Sequence, residues 1–205
     1  MNFIEFRETF YPLACFSIDQ IYSAYPQFGR TNLTRWIRKG YIERLRQGYY
    51  TFPDYKSKRD FSLYFANRIY KPSYISLHTA LSFYGIIPEG VSQITSITSL
   101  KTASFKNLFG DYSYKNVKED LMFGYELKKM DENRSLMFAT PEKALWDLLY
   151  LYPFYNSEKE MEELRLDEHY MREDLNVEML ISYNERFRSK ALDRRTRLLQ
   201  KVYDL

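Results

Sequence analysis

The sequence predicts an α+β chain with a short basic N-terminal part and a longer, more neutral remainder. Three observations carry this. Up to Gly40 the apolar residues recur at helical spacing, and directly after it they alternate. Between residues 93 and 138, short alternating runs are separated by turn residues. From residue 140 onward helical spacing returns. A chain of 205 residues has room for two small domains. Their expected extents are 1–56 and 57–205.

The N-terminal elements follow one by one. Phe3, Phe6 and Phe10 form the apolar stripe of a short helix over residues 2 to 10. Ser17 and Gln20 have the spacing of a capping box, which starts a second helix over residues 18 to 24. Pro26 and Gly29 mark a turn. A third helix is predicted over residues 31 to 39, with Leu33, Trp36 and Ile37 facing inward and Gly40 as its stop. The segments YIERL and YYTF read as two strands joined by a turn at Gly48.

The outer face of the third helix carries the functional signal. At about 100° per residue, Thr31, Arg35 and Arg38 point away from the apolar side. Asn32 and Lys39 flank them on one side and Thr34 on the other. Arg and Asn read base edges bidentately, and Lys reads guanine or holds phosphate. Arg44 and Arg46 lie beside the hairpin turn, within reach of phosphate or the minor groove. Residues 30 to 59 hold 9 Lys and Arg against Glu43 and Asp54, a net of +7. Three helices, a hairpin and this charge predict a winged helix-turn-helix that binds double-stranded DNA. Two other readings stand beside it. A basic helix face is also ordinary solvated surface, and winged helices also serve as protein-binding modules.

The remainder reads as a second α+β domain with a small, mainly antiparallel sheet and a helical C-terminus. Lys56, Lys58 and Arg59 form a polar link. Helices are predicted over residues 60 to 69 and 77 to 84, the second capped by Ser76 and ended by Gly85. QITSITS is a strand. A hairpin is expected around Gly110 and Asp111, and LMFGYEL and RSLMFA are further strands. Thr140, Pro141 and Glu142 make a strong helix start, and Pro153 stops that helix. Three more helices are expected over residues 158 to 172, 177 to 186 and 189 to 203. Residues 156 to 178 carry 3 bases against 9 acids. Residues 186 to 201 carry 7 bases against Asp193, and Arg194, Arg195, Arg197 and Lys201 are expected to face mostly outward, as solvated surface or as a second nucleic-acid contact.

Little chemistry of other kinds is visible. The single cysteine, Cys15, cannot form a disulfide within the chain and reads as a core residue. His78 and His169 complete a set too small for a zinc cluster. No phosphate loop or nucleophile elbow appears. Glu142 and Asp147 read as helix-terminal and solvated groups. No catalytic residue, metal ligand or cofactor is therefore expected. The rival functions are a module that neutralises a protein partner, suggested by the many aromatics and the acidic stretch, and an enzyme processing nucleic acid. Neither a signal peptide nor a membrane span is read, so a cytoplasmic setting is expected.

Three segments, LTRWIRKGYIERLRQGYY, SYISLHTALSFYGIIPE and ATPEKALWDLLYLYP, resemble in this order the AbiEi-like antitoxins of bacterial type IV toxin–antitoxin systems. The resemblance spans roughly residues 3 to 155. It implies an N-terminal winged helix-turn-helix that represses the promoter of its own operon, and a second domain with antitoxin activity. It implies a functional partner, a nucleotidyltransferase-like toxin, and no enzymatic activity. It makes residues 31 to 39 the recognition helix and residues 44 to 50 the wing. The SYISL and PEKAL segments become structural marks of the second domain.

Overall fold

The computed structural model describes residues 2–205 apart from Arg59, Glu132 and Arg188, and describes the backbone alone at Arg186. Arg59 of the expected link, and Arg188 and the Arg186 side chain of the basic C-terminal stretch, lie outside the described residues. The architecture is mixed α+β, with two open sheets.

The first sheet belongs to the N-terminal part. Helix α1 (Phe3–Phe10) leads into strand β1 (Cys15–Ser17), followed by α2 (Ile18–Ala24) and α3 (Thr31–Arg38). Strands β2 (Glu43–Arg46) and β3 (Tyr49–Thr51) form the expected hairpin. The order is β1-β3-β2, with both junctions antiparallel. The predicted capping box is present: Gln20 N donates to Ser17 Oγ, and Ser17 N donates to Gln20 Oε1 at 2.8 Å. Phe6 sits at the centre of the core, with its ring centroid 4.7 Å from Trp36, 5.5 Å from Phe16 and 5.8 Å from Phe28. Full burial of such a ring contributes about 1.5–3 kcal/mol, so the aromatic cluster is what holds three short helices on a three-stranded sheet.

Cys15 is part of that core and buried, and burial pushes its thiol up to about 12. Only thiolate attacks a disulfide reagent. With excess Ellman's reagent at about pH 8, Cys15 is expected to react in the native chain at least ~1,000-fold more slowly than in denaturant, limited by opening of the core. Rapid labelling of the native chain would place the thiol outside the core.

The second sheet has six strands: β4 (Ser73–Ile75), β5 (Gln93–Thr98), β6 (Ala103–Asn107), β7 (Gly110–Asn116), β8 (Tyr125–Lys129) and β9 (Ser135–Ala139). Their order is β6-β7-β5-β4-β9-β8. The β4/β5, β6/β7 and β8/β9 junctions are antiparallel, while β5/β7 and β4/β9 are parallel. With three antiparallel and two parallel junctions the sheet is mixed, and antiparallel pairing predominates as expected. Helix α4 (Phe61–Ile69) precedes β4, and α5 (Leu77–Phe83) follows it. Helix α6 (Pro141–Leu151) follows β9, with Thr140 Oγ1 accepting from Lys143 N and Pro141 in the first turn, as its sequence predicts.

The C-terminus corrects one expectation. Residues 158 to 172 do not form one helix. Helix α7 (Glu158–Glu162) is short, and Arg165 takes a positive φ of 50°. Asp167 N then donates to Ile86 O at 2.8 Å, and a π-helical turn spans Tyr170–Asp174. This long-range bond holds the chain out of the helix. Helices α8 (Val177–Phe187) and α9 (Lys190–Tyr203) complete the chain. No helix among the described residues is long and apolar enough to cross a membrane.

The boundary expected near residue 56 falls inside a 3-10 turn, Pro53–Ser57. Tyr55 of that turn is buried, its hydroxyl donates to Tyr11 O, and its ring lies 4.5 Å from Phe61. Aromatic packing therefore runs on from the first sheet to α4.

Candidate nucleic-acid interface

Helix α3 is short, and its ends explain why it stops where it does. Gly40, at φ +69°, donates from its N–H to Ile37 O, and Tyr41 N donates to Trp36 O at 2.9 Å. This pair of bonds is a Schellman motif, in which glycine supplies the left-handed residue at no steric cost. Leu33 and Trp36 are buried and Ile37 is half-buried. That fixes the opposite face outward. Thr31, Thr34, Arg35, Arg38 and Lys39 are all exposed, and Asn32 is half-exposed. The predicted outer face is therefore the actual one.

Two of these residues are coupled. Arg35 Nη2 donates to Asn32 Oδ1 at 2.9 Å, one turn apart on the helix. Neither side chain donates a further side-chain hydrogen bond among the described residues. Lys39 Nζ lies 5.7 Å from the Tyr41 ring centroid. Arg30, just before the helix, is also exposed. None of Arg30, Arg35, Arg38, Lys39 and Arg44 forms an ion pair among the described residues.

The two hairpin arginines part company. A register shift falls between Arg44 and Arg46, with Leu45 buried between them. Arg44 stays exposed. Arg46 turns toward the second sheet: Nη1 donates to Ile69 O at 2.6 Å, and its guanidinium lies 4.8 Å from both the Tyr70 and Phe105 ring centroids. Asn107 Nδ2 donates to Leu45 O at 2.9 Å beside it. A groove of 990 Å³ opens between the hairpin and β6, lined by Arg30, Arg44, Arg46, Gln47 and Lys106. Sequence reasoning missed Arg30 and Lys106, because Lys106 reaches the groove only through the second sheet.

The difference between the two arginines is testable. Arg46→Ala removes a charged donor and a stacked guanidinium, so a loss of about 1–3 kcal/mol of unfolding free energy is expected in urea. Arg44→Ala should stay within about 0.5 kcal/mol of the parent. Equal effects would mean that Arg46 does not bridge the hairpin to α4.

The remaining candidates settle differently. Cys15 is buried, His78 is half-buried with its ring 5.8 Å from Tyr152, and His169 is exposed. Partial burial holds His78 below the usual histidine range. Among the described residues no group of three or more His, Cys, Asp or Glu is placed to hold a metal ion. Glu142 and Asp147 correct the sequence reading, because neither is solvated. Glu142 is buried and accepts from Asn176 N at 3.1 Å. Asp147 is fully buried: Oδ1 accepts from Lys143 Nζ at 2.5 Å, while Oδ2 accepts from Ser76 Oγ at 2.7 Å and Tyr74 OH at 3.0 Å. Arg195 is corrected likewise. It is buried rather than outward, on the same face of α9 as Leu192 and Leu199. Lys201 pairs with Glu158.

No family model matches this chain, and no curated protein matches it significantly.

Proposed function

We propose that this chain is a sequence-specific binder of double-stranded DNA. In this reading residues 1–56 are a winged helix-turn-helix, α3 enters the major groove, and the β2–β3 hairpin is the wing. One observation carries the proposal: α3 is sealed behind by Leu33 and Trp36 and presents Arg35, Arg38 and Lys39 to solvent without ion-pair partners among the described residues. Unneutralised cations on a rigid helix suit both phosphate attraction and base reading. Arg30 and Arg44 along the neighbouring groove extend the positive surface to where the DNA backbone would run, while Lys106 on its far side pairs with Asp111 at 3.0 Å. Arg46 serves the fold instead.

The three resembling segments support a more specific reading: the DNA is the promoter of the chain's own operon, binding represses it, and the functional partner is a nucleotidyltransferase-like toxin. Fluorescence anisotropy with labelled promoter DNA and a scrambled duplex tests the first part. At about 0.15 M salt, the promoter duplex is expected to bind at least ~1,000-fold more tightly than the scramble. Equal affinities that fall together with salt would reduce the interaction to nonspecific charge and sink sequence-specific repression.

A further inference from the structure

The six-stranded sheet has two edges, and they differ. Strand β6 lies against the β2–β3 hairpin, where Asn107 Nδ2 donates to Leu45 O. Strand β8 pairs with β9 alone among the described residues. Bonds at the two ends of β8 fix the direction of its backbone groups. Thr140 N donates to Gly124 O at 3.0 Å, and Met130 N donates to Arg134 O at 2.9 Å. Both fit the register that runs from Tyr125 opposite Ala139 to Lys129 opposite Ser135. Successive residues of an antiparallel strand turn their backbone groups to opposite sides. Glu126 and Lys128 therefore bond to β9, while Tyr125, Leu127 and Lys129 turn N–H and C=O to the open edge. The backbone groups of these three bond to no other element among the described residues.

Open edges are commonly blocked by lysine, and β8 carries Lys128 and Lys129. Its pattern is more specific than a block. Leu127 is 69% exposed, more than any other large apolar side chain among the described residues, and Met137 stands directly opposite it on β9. Glu126 and Lys128 flank Leu127 on the other face of the strand and pair with each other at 3.2 Å. A second β8 that joins outward groups to outward groups can be related to the first by a two-fold axis at Glu126, Leu127 or Lys128. An axis at Glu126 sets two glutamates opposite one another, and an axis at Lys128 sets two lysines. Like charges directly opposite destabilise a strand pair. The axis at Leu127 sets Glu126 opposite the copy's Lys128, at a non-hydrogen-bonded pair where side chains stand closest. It also sets Tyr125 opposite the copy's Lys129, and the two leucines side by side.

We propose that β8 is a homodimer interface, in which two copies of this chain pair edge to edge and antiparallel with Leu127 at the two-fold axis. The lysines then select the register instead of blocking the edge. The pairing adds about six backbone hydrogen bonds, two alternating Glu–Lys contacts, and an apolar strip of Met137, Leu127 and their counterparts. Such an isologous contact closes on itself, so it stops at two copies. Its area lies at the low end for specific interfaces, which suits a reversible dimer with a dissociation constant of about 1–100 μM. The edge belongs to the second sheet, away from α3, so the dimer does not depend on whether the chain binds DNA.

The test is analytical ultracentrifugation of the full chain at concentrations of about 1–500 μM, where a monomer–dimer equilibrium is expected. Leu127→Pro removes an outward N–H that β9 does not use, a position at which an edge strand tolerates proline. It should weaken the dimer at least about tenfold. Glu126→Lys and Lys128→Glu supply a second readout, at side chains outside the core. Each variant alone sets like charges opposite one another and should stay monomeric. An equimolar mixture of the two sets lysine opposite glutamate at both contacts, so it should form a heterodimer with close to the parent affinity. Local damage from either substitution would not produce that recovery. A parent chain that stays monomeric at about 500 μM, a Leu127→Pro chain that dimerises like the parent, or a mixture without heterodimer would each overturn the proposal.

Discussion

Lys143→Met is expected to lower the unfolding free energy by about 3–5 kcal/mol, because it leaves the Asp147 carboxylate buried without its cation. For a chain of this size that corresponds to a fall in Tm of roughly 6–20 °C. Lys143 and Asp147 are both fully buried, one turn apart on α6, with Lys143 Nζ 4.3 Å from the Trp146 ring centroid and 4.4 Å from that of Phe123. Gly124, at φ +67°, lets the chain pass the lysine stem, where a Cβ would stand 3.0 Å from Lys143 Cγ. The double variant Lys143→Met with Asp147→Asn should recover much of the loss. It removes both charges and keeps an acceptor for Ser76 Oγ and Tyr74 OH. The pH dependence has a definite sign. Burial raises the Asp147 carboxyl above its ordinary value, while Lys143, Ser76 and Tyr74 pull it down. A group raised in the folded state contributes stability that is present below its unfolded value and lost as pH rises through the folded one. Without Lys143 the carboxyl rises further, so the deficit of Lys143→Met should shrink as pH falls from about 8 toward 5. Urea melts of parent and variants at both ends of that range decide it. A single variant within about 1 kcal/mol of the parent would show that the pair carries no buried charge.

What was legible in the sequence is what depends on neighbours along the chain. The Ser17–Gln20 box, the Gly40 stop and the Thr140–Pro141 start are each fixed by bonds spanning a few residues, and each is present. The outer face of α3 follows from a period that Leu33 and Trp36 set by themselves. Strands β1 and β4 escaped because three residues carry no period; they exist through pairing with β3 and β5. The strand expected in LMFGYEL begins only at Tyr125, after the left-handed turn at Gly124. The packing of Arg46 was not legible because its partners, Ile69 O, Tyr70 and Phe105, are more than twenty residues away. Asp147 and Arg195 could have been read. A helix with Ala144, Leu145, Trp146, Leu148 and Leu149 around it has no solvated face left, so its charges must pair inside. Arg195 sits three residues from Leu192 and four from Leu199, squarely on the inner stripe of α9.

The double variant Arg35→Ala with Arg38→Ala is expected to cost roughly 2–6 kcal/mol of binding to the specific duplex, at about 1–3 kcal/mol for each bidentate base contact. Folding should be untouched, since both side chains are exposed and neither bonds to another element. The size of the loss alone does not distinguish reading from attraction, because any lost cation weakens DNA binding. The salt dependence does. A side chain that reads a base leaves the slope of log K against log salt nearly unchanged and relaxes selectivity at one position. A side chain that holds phosphate lowers the slope by about 1 and weakens all sequences alike. Arg44→Ala, on the hairpin beside the groove, is expected to behave in the second way, and the α3 double variant in the first. The Asn32–Arg35 bond sharpens this contrast, because it holds the guanidinium over one turn of the helix and limits which base it can meet. If the α3 variant instead lowered the slope by about 2 and weakened promoter and scrambled DNA equally, α3 would lie along the phosphates, and sequence discrimination would have to come from elsewhere on the chain.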